Sequence, residues 1–265
     1  MLPFMARRSR QLALNLRAAR RWGGLREGAG RKPGAVRRDP HLLRAPLASR
    51  HPCHVTLKVR RDVPSLRTVA FVREFERSLR IACERGRFRV VHYSLQGNHA
   101  HLIVEAASAR DLSCGLKSVA ARLARAANRV FHRSGAVLSD RCHVRVLRYP
   151  REVRNAIAYV LCNARRHLAK LGRRIDPRGR IDPASSGRWF DGWRRDASVR
   201  AHDPPAVAVA RTWLLGLGWR RAGLVDSAEV PGGALVRAKG DRHGFERSDS
   251  HVAGFSTTTP SPVAV

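Results

Sequence analysis

The chain has 265 residues, with 52 Lys and Arg against 20 Asp and Glu, and a formal charge of +32. Such an excess repels itself in the compact state and calls for a polyanion; because arginine dominates, nucleic acid is the leading partner. A hydrophobic content of 43% supports one ordinary domain with extensions, and no apolar run approaches a membrane span, so no membrane partner is expected. Five scattered cysteines without a CxxC pair exclude a disulfide scaffold or zinc knuckle and indicate a reducing, cytoplasmic compartment.

Residues 1–50 hold thirteen Lys and Arg and two acids. Residues 1–49 read as a basic, mostly disordered DNA-binding arm, with Arg26, Arg31 and Lys32 in its Gly-rich centre as candidate contacts. That Gly-rich stretch neither follows a strand nor opens a helix, so it is not a nucleotide-binding loop and no nucleotide cofactor is expected. From residue 52 the pattern becomes orderly. His54 to Val59 alternates as a strand. Pro64-Ser65 opens a helix whose apolar side includes Leu66, Val69, Phe75 and Leu79, ending before Gly86. Phe88 to Leu95 is a second strand, turned at Gln96-Gly97-Asn98 into a third, Ala100 to Ala106. A long helix runs from Ala109 to about Phe131, a fourth strand covers His143 to Leu147, and a last helix extends from Arg151 to Leu171. The order βαββαβα is the α+β, ferredoxin-like arrangement: an antiparallel sheet with helices on one face. Residues 50–172 form this domain. Residues 173–230 follow as an extension with the aromatic island Trp189-Phe190-Asp191-Gly192-Trp193 and a short helix near 207–217, and 231–265 as a polar, disordered tail.

Asn98-His99-Ala100-His101 carries the chemistry. On a strand, residues i and i+2 share a face, so His99 and His101 present neighbouring imidazoles, the makings of a divalent metal site. Twelve histidines yield about 0.5 such pairs by chance, so the pair needs company. The last helix offers it: Tyr159 and Asn163 stand four residues apart on one face and could project together toward the sheet, where a side-chain oxygen would add to the imidazoles. The competing reading packs the tyrosine in the core and leaves the asparagine as a cap. Arg154, Arg165 and Arg166 on the same helix read either as phosphate contacts or as a solvated face. Trp189 and Trp193 either stack unpaired bases or pin the extension to the domain.

On these residues the chain resembles the single-tyrosine HUH transposases of insertion sequences, and within them the REP-associated tyrosine transposases. His99-Ala100-His101 matches His-hydrophobic-His, and Tyr159-Val160-Leu161-Cys162-Asn163 matches the helical Tyr-x-x-x-Asn/Gln. The resemblance spans about residues 50–172. It implies a bacterial, nucleoid-associated and dimeric enzyme that cleaves and rejoins single-stranded DNA at hairpin-associated sites. Tyr159 would form the 5′-phosphotyrosine link, and His99, His101 and Asn163 would hold Mg²⁺ or Mn²⁺. The chain departs from the pattern in the small Ala100 and in Asn163-Ala164, where relatives often carry a proline after the tyrosine; without it the helix is expected to run on. Two alternatives follow from the same residues: a non-catalytic hairpin-binding descendant, and an HUH replication initiator or relaxase.

Overall fold

The computed structural model describes residues 46–194 and 203–232. Arg26, Arg31, Lys32 and most of the C-terminal tail lie outside the described residues. The elements follow the expected order: β1 (Cys53–Lys58), α1 (Val69–Arg80), β2 (Glu84–Arg85), β3 (Phe88–Leu95), β4 (His99–Ala106), α2 (Ala109–Val130), β5 (His143–Val146), α3 (Pro150–Leu161) and α4 (Asn163–Lys170). A one-turn α5 (Trp213–Gly216) and two short 3₁₀ turns (Ser186–Trp189 and Gly218–Ala222) complete it. The two-residue β2 is the one strand that periodicity did not indicate. The sheet runs β2-β3-β4-β1-β5, antiparallel throughout, and is the α+β sheet expected from the sequence. The strand carrying the histidine pair is therefore central.

The helices divide between the two faces, which corrects the expectation that all lie on one. α1 and α2 cover one face, where Phe71, Phe75 and Leu79 meet Leu112, Leu116 and Leu123 over Val55, Leu57, Leu102 and Val104. α3 covers the other, where Val153, Ile157 and Val160 pack on Val91 and Ile103. The physical reason lies in β3 and β4. β3 is buried at all eight positions and β4 at all but His99, so neither strand has a solvent face to leave bare. A bulge at Val91 adds to this: Val90 pairs with Val104 and His92 with Ile103, so an extra residue turns toward α3.

Local caps set the helix limits. α1 starts at Val69 rather than at Pro64. The Thr68 hydroxyl accepts from the Phe71 amide, while the Leu66 N–H donates to Gly97 O at 3.0 Å and so belongs to the hairpin turn. Ser108 caps α2 by accepting from the Asp111 amide and donating to the Asp111 carboxylate. Within α2, a Cβ on Gly115 would stand 2.1 Å from the Phe88 ring, so only glycine lets that ring lie against the helix backbone.

The expected continuous helix 151–171 is two helices. Cys162 between them has φ −103° and ψ 15°, outside helical geometry. The break accompanies tertiary bonds that a straight helix has no reason to make: Cys162 Sγ donates to Asp226 O, and the buried Arg165 donates to Asp176 O at 2.7 Å. Described residues of the extension are integral to the second core, where Phe190, Leu214, Leu215, Trp219 and Val225 pack with α3. The buried Glu105 of β4 accepts from the Arg211 and Thr212 amides and the Thr212 hydroxyl, tying α5 to the sheet. Among the described residues no helix is long and apolar enough to cross a membrane.

Candidate active site

β1 and β4 build the floor of the site. Their register places Thr56 opposite His101 and Lys58 opposite His99, and opposed residues share a face. Ser94 of β3 stands on the other side of His101. Period two then brings His54, Thr56, His99 and His101 to the face that α3 covers. His99 Nε2 and His101 Nε2 lie 3.0 Å apart. His101 Nδ1 meets Thr56 Oγ1 at 3.1 Å and His54 Nε2 at 3.2 Å. His99 Nδ1 meets Asn98 Oδ1 at 2.7 Å.

These contacts fix the proton of His99 and leave His101 two tautomers. Asn98 Oδ1 accepts only, so His99 carries its hydrogen on Nδ1 and turns the Nε2 lone pair toward His101. Without a cation, His101 donates from Nε2 to that lone pair and accepts at Nδ1 from Thr56 or His54. The Thr56 hydroxyl both donates and accepts, so His101 can also hold its hydrogen on Nδ1. In that tautomer two lone pairs converge, and a shared cation would relieve their repulsion. The 3.0 Å separation matches the edge of an octahedral ion, about 3.0 Å for metal–nitrogen bonds of about 2.1 Å at right angles.

The imidazoles are neutral at ordinary pH. Burial, reinforced by the neighbouring histidines, holds His101 down at about 2. Burial first, then His167 and Lys58, holds His99 at about 4, and burial with His143 and Arg145 holds His54 at about 4. Neutral imidazole is the form that ligates metals.

Tyr159 closes the site from α3. Its ring stands edge-on to His101 at 5.1 Å and to His54 at 5.6 Å between centroids. The Arg166 guanidinium lies 5.3 Å from its centroid. The other two tyrosines are placed elsewhere. Tyr93 is buried under α1 and donates to Glu76; burial and that carboxylate push its pKa up. Tyr149 is exposed ahead of α3. Of the three phenols, Tyr159 alone lies against the histidines.

Asn163 is fully buried where α4 begins, and neither its Oδ1 nor its Nδ2 has a hydrogen-bond partner. A buried carboxamide left unmatched costs about 1–3 kcal/mol, so it signals a missing partner. Among the described residues no group of three or more His, Cys, Asp or Glu is arranged to hold a metal. Two imidazole nitrogens and a carboxamide oxygen are a neutral donor set of the kind that a divalent cation accepts.

The predicted DNA contacts separate. Arg166 stands at Tyr159. Arg154 is not a free surface cation: Glu229 grips it at 2.6 and 2.7 Å. Arg165 is buried on Asp176 O. Trp189 donates to Asp203 O under the Arg188 guanidinium, and Trp193 donates to Gly187 O against Phe190. Both indole N–H groups bond to backbone carbonyls of the extension itself, and each ring packs against one of the two core clusters. Sequence reasoning missed His54, Thr56 and His167, whose ring lies 5.7 Å from His99. The alternation His54-Val55-Thr56-Leu57 marked a strand, but only the register shows what its polar side meets.

A cleft of about 940 Å³ opens beside Tyr159 and His54, lined by Arg145, Arg151 and Arg194 and by residues 228–232. No protein-family model matches this chain, and no curated protein does. Among solved structures it is similar to one described as a REP-associated tyrosine transposase bound to a REP hairpin. That match has 17% identity and a TM-score of 0.40, over 49% of this chain and 74% of the other. At that distance the reading of the site rests on its own geometry.

Proposed function

We propose that this chain is a metal-dependent transposase that cleaves and rejoins single-stranded DNA at hairpin-associated sites, with Tyr159 as the nucleophile. The observation that carries the reading is the convergence of His99 Nε2 and His101 Nε2 beside Tyr159, the one phenol of the three that lies against the histidines. The Tyr159 oxygen attacks a backbone phosphorus and gives up its proton. The bond from phosphorus to the 3′ oxygen breaks, and that oxygen leaves as a 3′-hydroxyl. The 5′ phosphate stays on the tyrosine, and a later 3′-hydroxyl reverses the step. One phosphodiester replaces another, so no nucleotide cofactor is consumed.

His99, His101 and Asn163 are the residues to hold Mg²⁺ or Mn²⁺; bound there, the ion neutralises phosphate charge and favours departure of the 3′ oxygen. Thr56 and His54 orient His101, and Asn98 orients His99. Arg166 adds positive charge beside the phenol. The overall charge of +32 draws the strand in and makes binding fall steeply with salt.

The test is a denaturing gel of labelled single-stranded hairpin DNA with Mn²⁺. The wild-type chain should give a covalent adduct. Tyr159→Phe should give none, while hairpin binding stays within about two-fold, since the lost hydroxyl contributes little to a charge-driven complex. An adduct that persists in Tyr159→Phe overturns the assignment.

A further inference from the structure

The cleft beside Tyr159 has two unlike walls. One is the sheet and α3, with His54, Arg145 and Tyr159. The other is the segment Asp226 to Gly232, which reaches across α3. Arginine side chains hold this segment. Arg154 grips the Glu229 carboxylate with both arms, at 2.6 and 2.7 Å, and donates to Leu224 O at 3.1 Å. Arg166, beside the Tyr159 ring, donates to Pro231 O at 3.1 Å. Within the segment a turn at Asp226 bonds the Ala228 and Glu229 amides.

A carboxylate gripped by both arms of a guanidinium has the charge and the geometry of a phosphodiester in the same fork. Exchanging one for the other leaves the local charge unchanged, so the cost of desolvating Arg154 is not incurred again. The pair is partly accessible from the cleft, with side-chain exposures of 13% for Arg154 and 27% for Glu229. Arg151 and Arg194 also line the cleft and make no ion pair among the described residues. A phosphate entering here meets cations that Glu229 does not use.

We propose that Arg154 is the anchor for a backbone phosphate of the bound strand, and that Glu229 is an internal surrogate which that phosphate displaces. Entry of the strand then releases residues 226–232 from the wall of the cleft and widens the approach to Tyr159. The inference rests on the DNA-cleaving reading for the identity of its ligand. It assigns a binding role to a guanidinium that the strand-free fold keeps occupied.

Hydrogen exchange on the unaltered full chain tests it, with and without a short single-stranded DNA and with a chelator present so that no chemistry occurs. Exchange at the Ala228 and Glu229 amides should become faster when DNA binds. Unchanged or slower exchange overturns the proposal. A second arm uses Glu229→Gln, which removes the charge and keeps the shape. Its affinity for the strand should rise about five-fold at low salt, and Arg154→Met in that background should remove the gain. Equal affinity of Glu229→Gln and wild type overturns it, and if the variant melts early, the exchange result on the unaltered chain decides. The failures are distinguishable. Loss of the Tyr159 adduct with the exchange change intact removes the chemistry and keeps the anchor. A chain that binds no DNA removes both.

Discussion

The two faces of the sheet carry different cargo. Under α1 and α2 the layer is almost wholly apolar: Phe71 stacks near Phe75 and Phe131, and the Tyr93 hydroxyl donates to Glu76. Under α3 the same strands present His54, Thr56, His92, Ser94, His101 and Glu105, and an unmatched amide lies at Asn163. One face is filled to be stable. The other buries polar groups, which is costly unless they find partners, as Glu105 does at the start of α5 and His101 on Thr56 and His54. Period two in the strands makes this separation possible, because neighbouring residues of β4 serve opposite layers: Ala100 and Leu102 the core, His99 and His101 the site.

The largest effect expected from breaking the comparison is on the apolar face. Phe75 is fully buried between Phe71 and Tyr93. Phe75→Ala should cost about 3–5 kcal/mol in denaturant unfolding. His101→Ala, on the other face, should leave stability nearly unchanged or raise it and abolish the adduct. If His101→Ala unfolds the protein as Phe75→Ala does, the histidines are core residues and the contrast between the faces is false.

Acid gives a comparable but smaller effect, confined to the polar face. His92 is buried, with its ring edge-on to Phe190, and burial holds it at about 4. His54 and His99 are held at about 4 as well. A histidine held low in the fold takes up its proton first in the unfolded chain, so stability is full above about pH 6.5 and falls as pH drops toward about 4. His92 alone contributes up to about 3 kcal/mol of that loss. Melting temperature measured from pH 7.5 to 4 should drop within this window, and His92→Leu should flatten the drop. A melting temperature constant down to pH 4.5 would contradict the burial of neutral imidazoles on this face.

The apolar face was the more legible of the two in the sequence. Strand alternation and the spacing of apolar residues in the two long helices are local signals, and the elements came out in order apart from the two-residue β2. The His pair and Tyr159 were legible too, because period two and a helix position are enough to put them on elements. What was hidden depends on partners far away in the chain. The break at Cys162 goes with bonds to Asp226 and from Arg165 to Asp176. Arg154 looks like any surface arginine until Glu229, seventy-five positions on, takes its fork. The sequence left the aromatic island open between stacking bases and pinning the extension, and it did not show that the indole N–H groups meet the distant carbonyls of Asp203 and Gly187. The burial of α3 on the far face follows from β3 and β4 being covered on both sides, which a single strand's pattern shows only weakly.

The finest probe of the polar face is Thr56, which sequence alone left as an ordinary strand residue. Its hydroxyl meets His101 Nδ1 at 3.1 Å and is the group that can accept the Nδ1 hydrogen when Nε2 is needed for a cation. Thr56→Val keeps the shape and the strand preference and removes that acceptor, leaving His54 Nε2 at 3.2 Å as the remaining partner. Affinity for Mn²⁺, followed by calorimetry, should fall about ten-fold, and Thr56→Ser should recover most of it. The melting temperature should move by less than about 4 °C, because no volume is lost from the core. The double variant Thr56→Val with His54→Gln should lose more than either single change, since both side chains serve one ring nitrogen. If Thr56→Val binds Mn²⁺ as the wild type does, the tautomer of His101 is not set from β1, and the second row of the polar face has no part in the chemistry of the first.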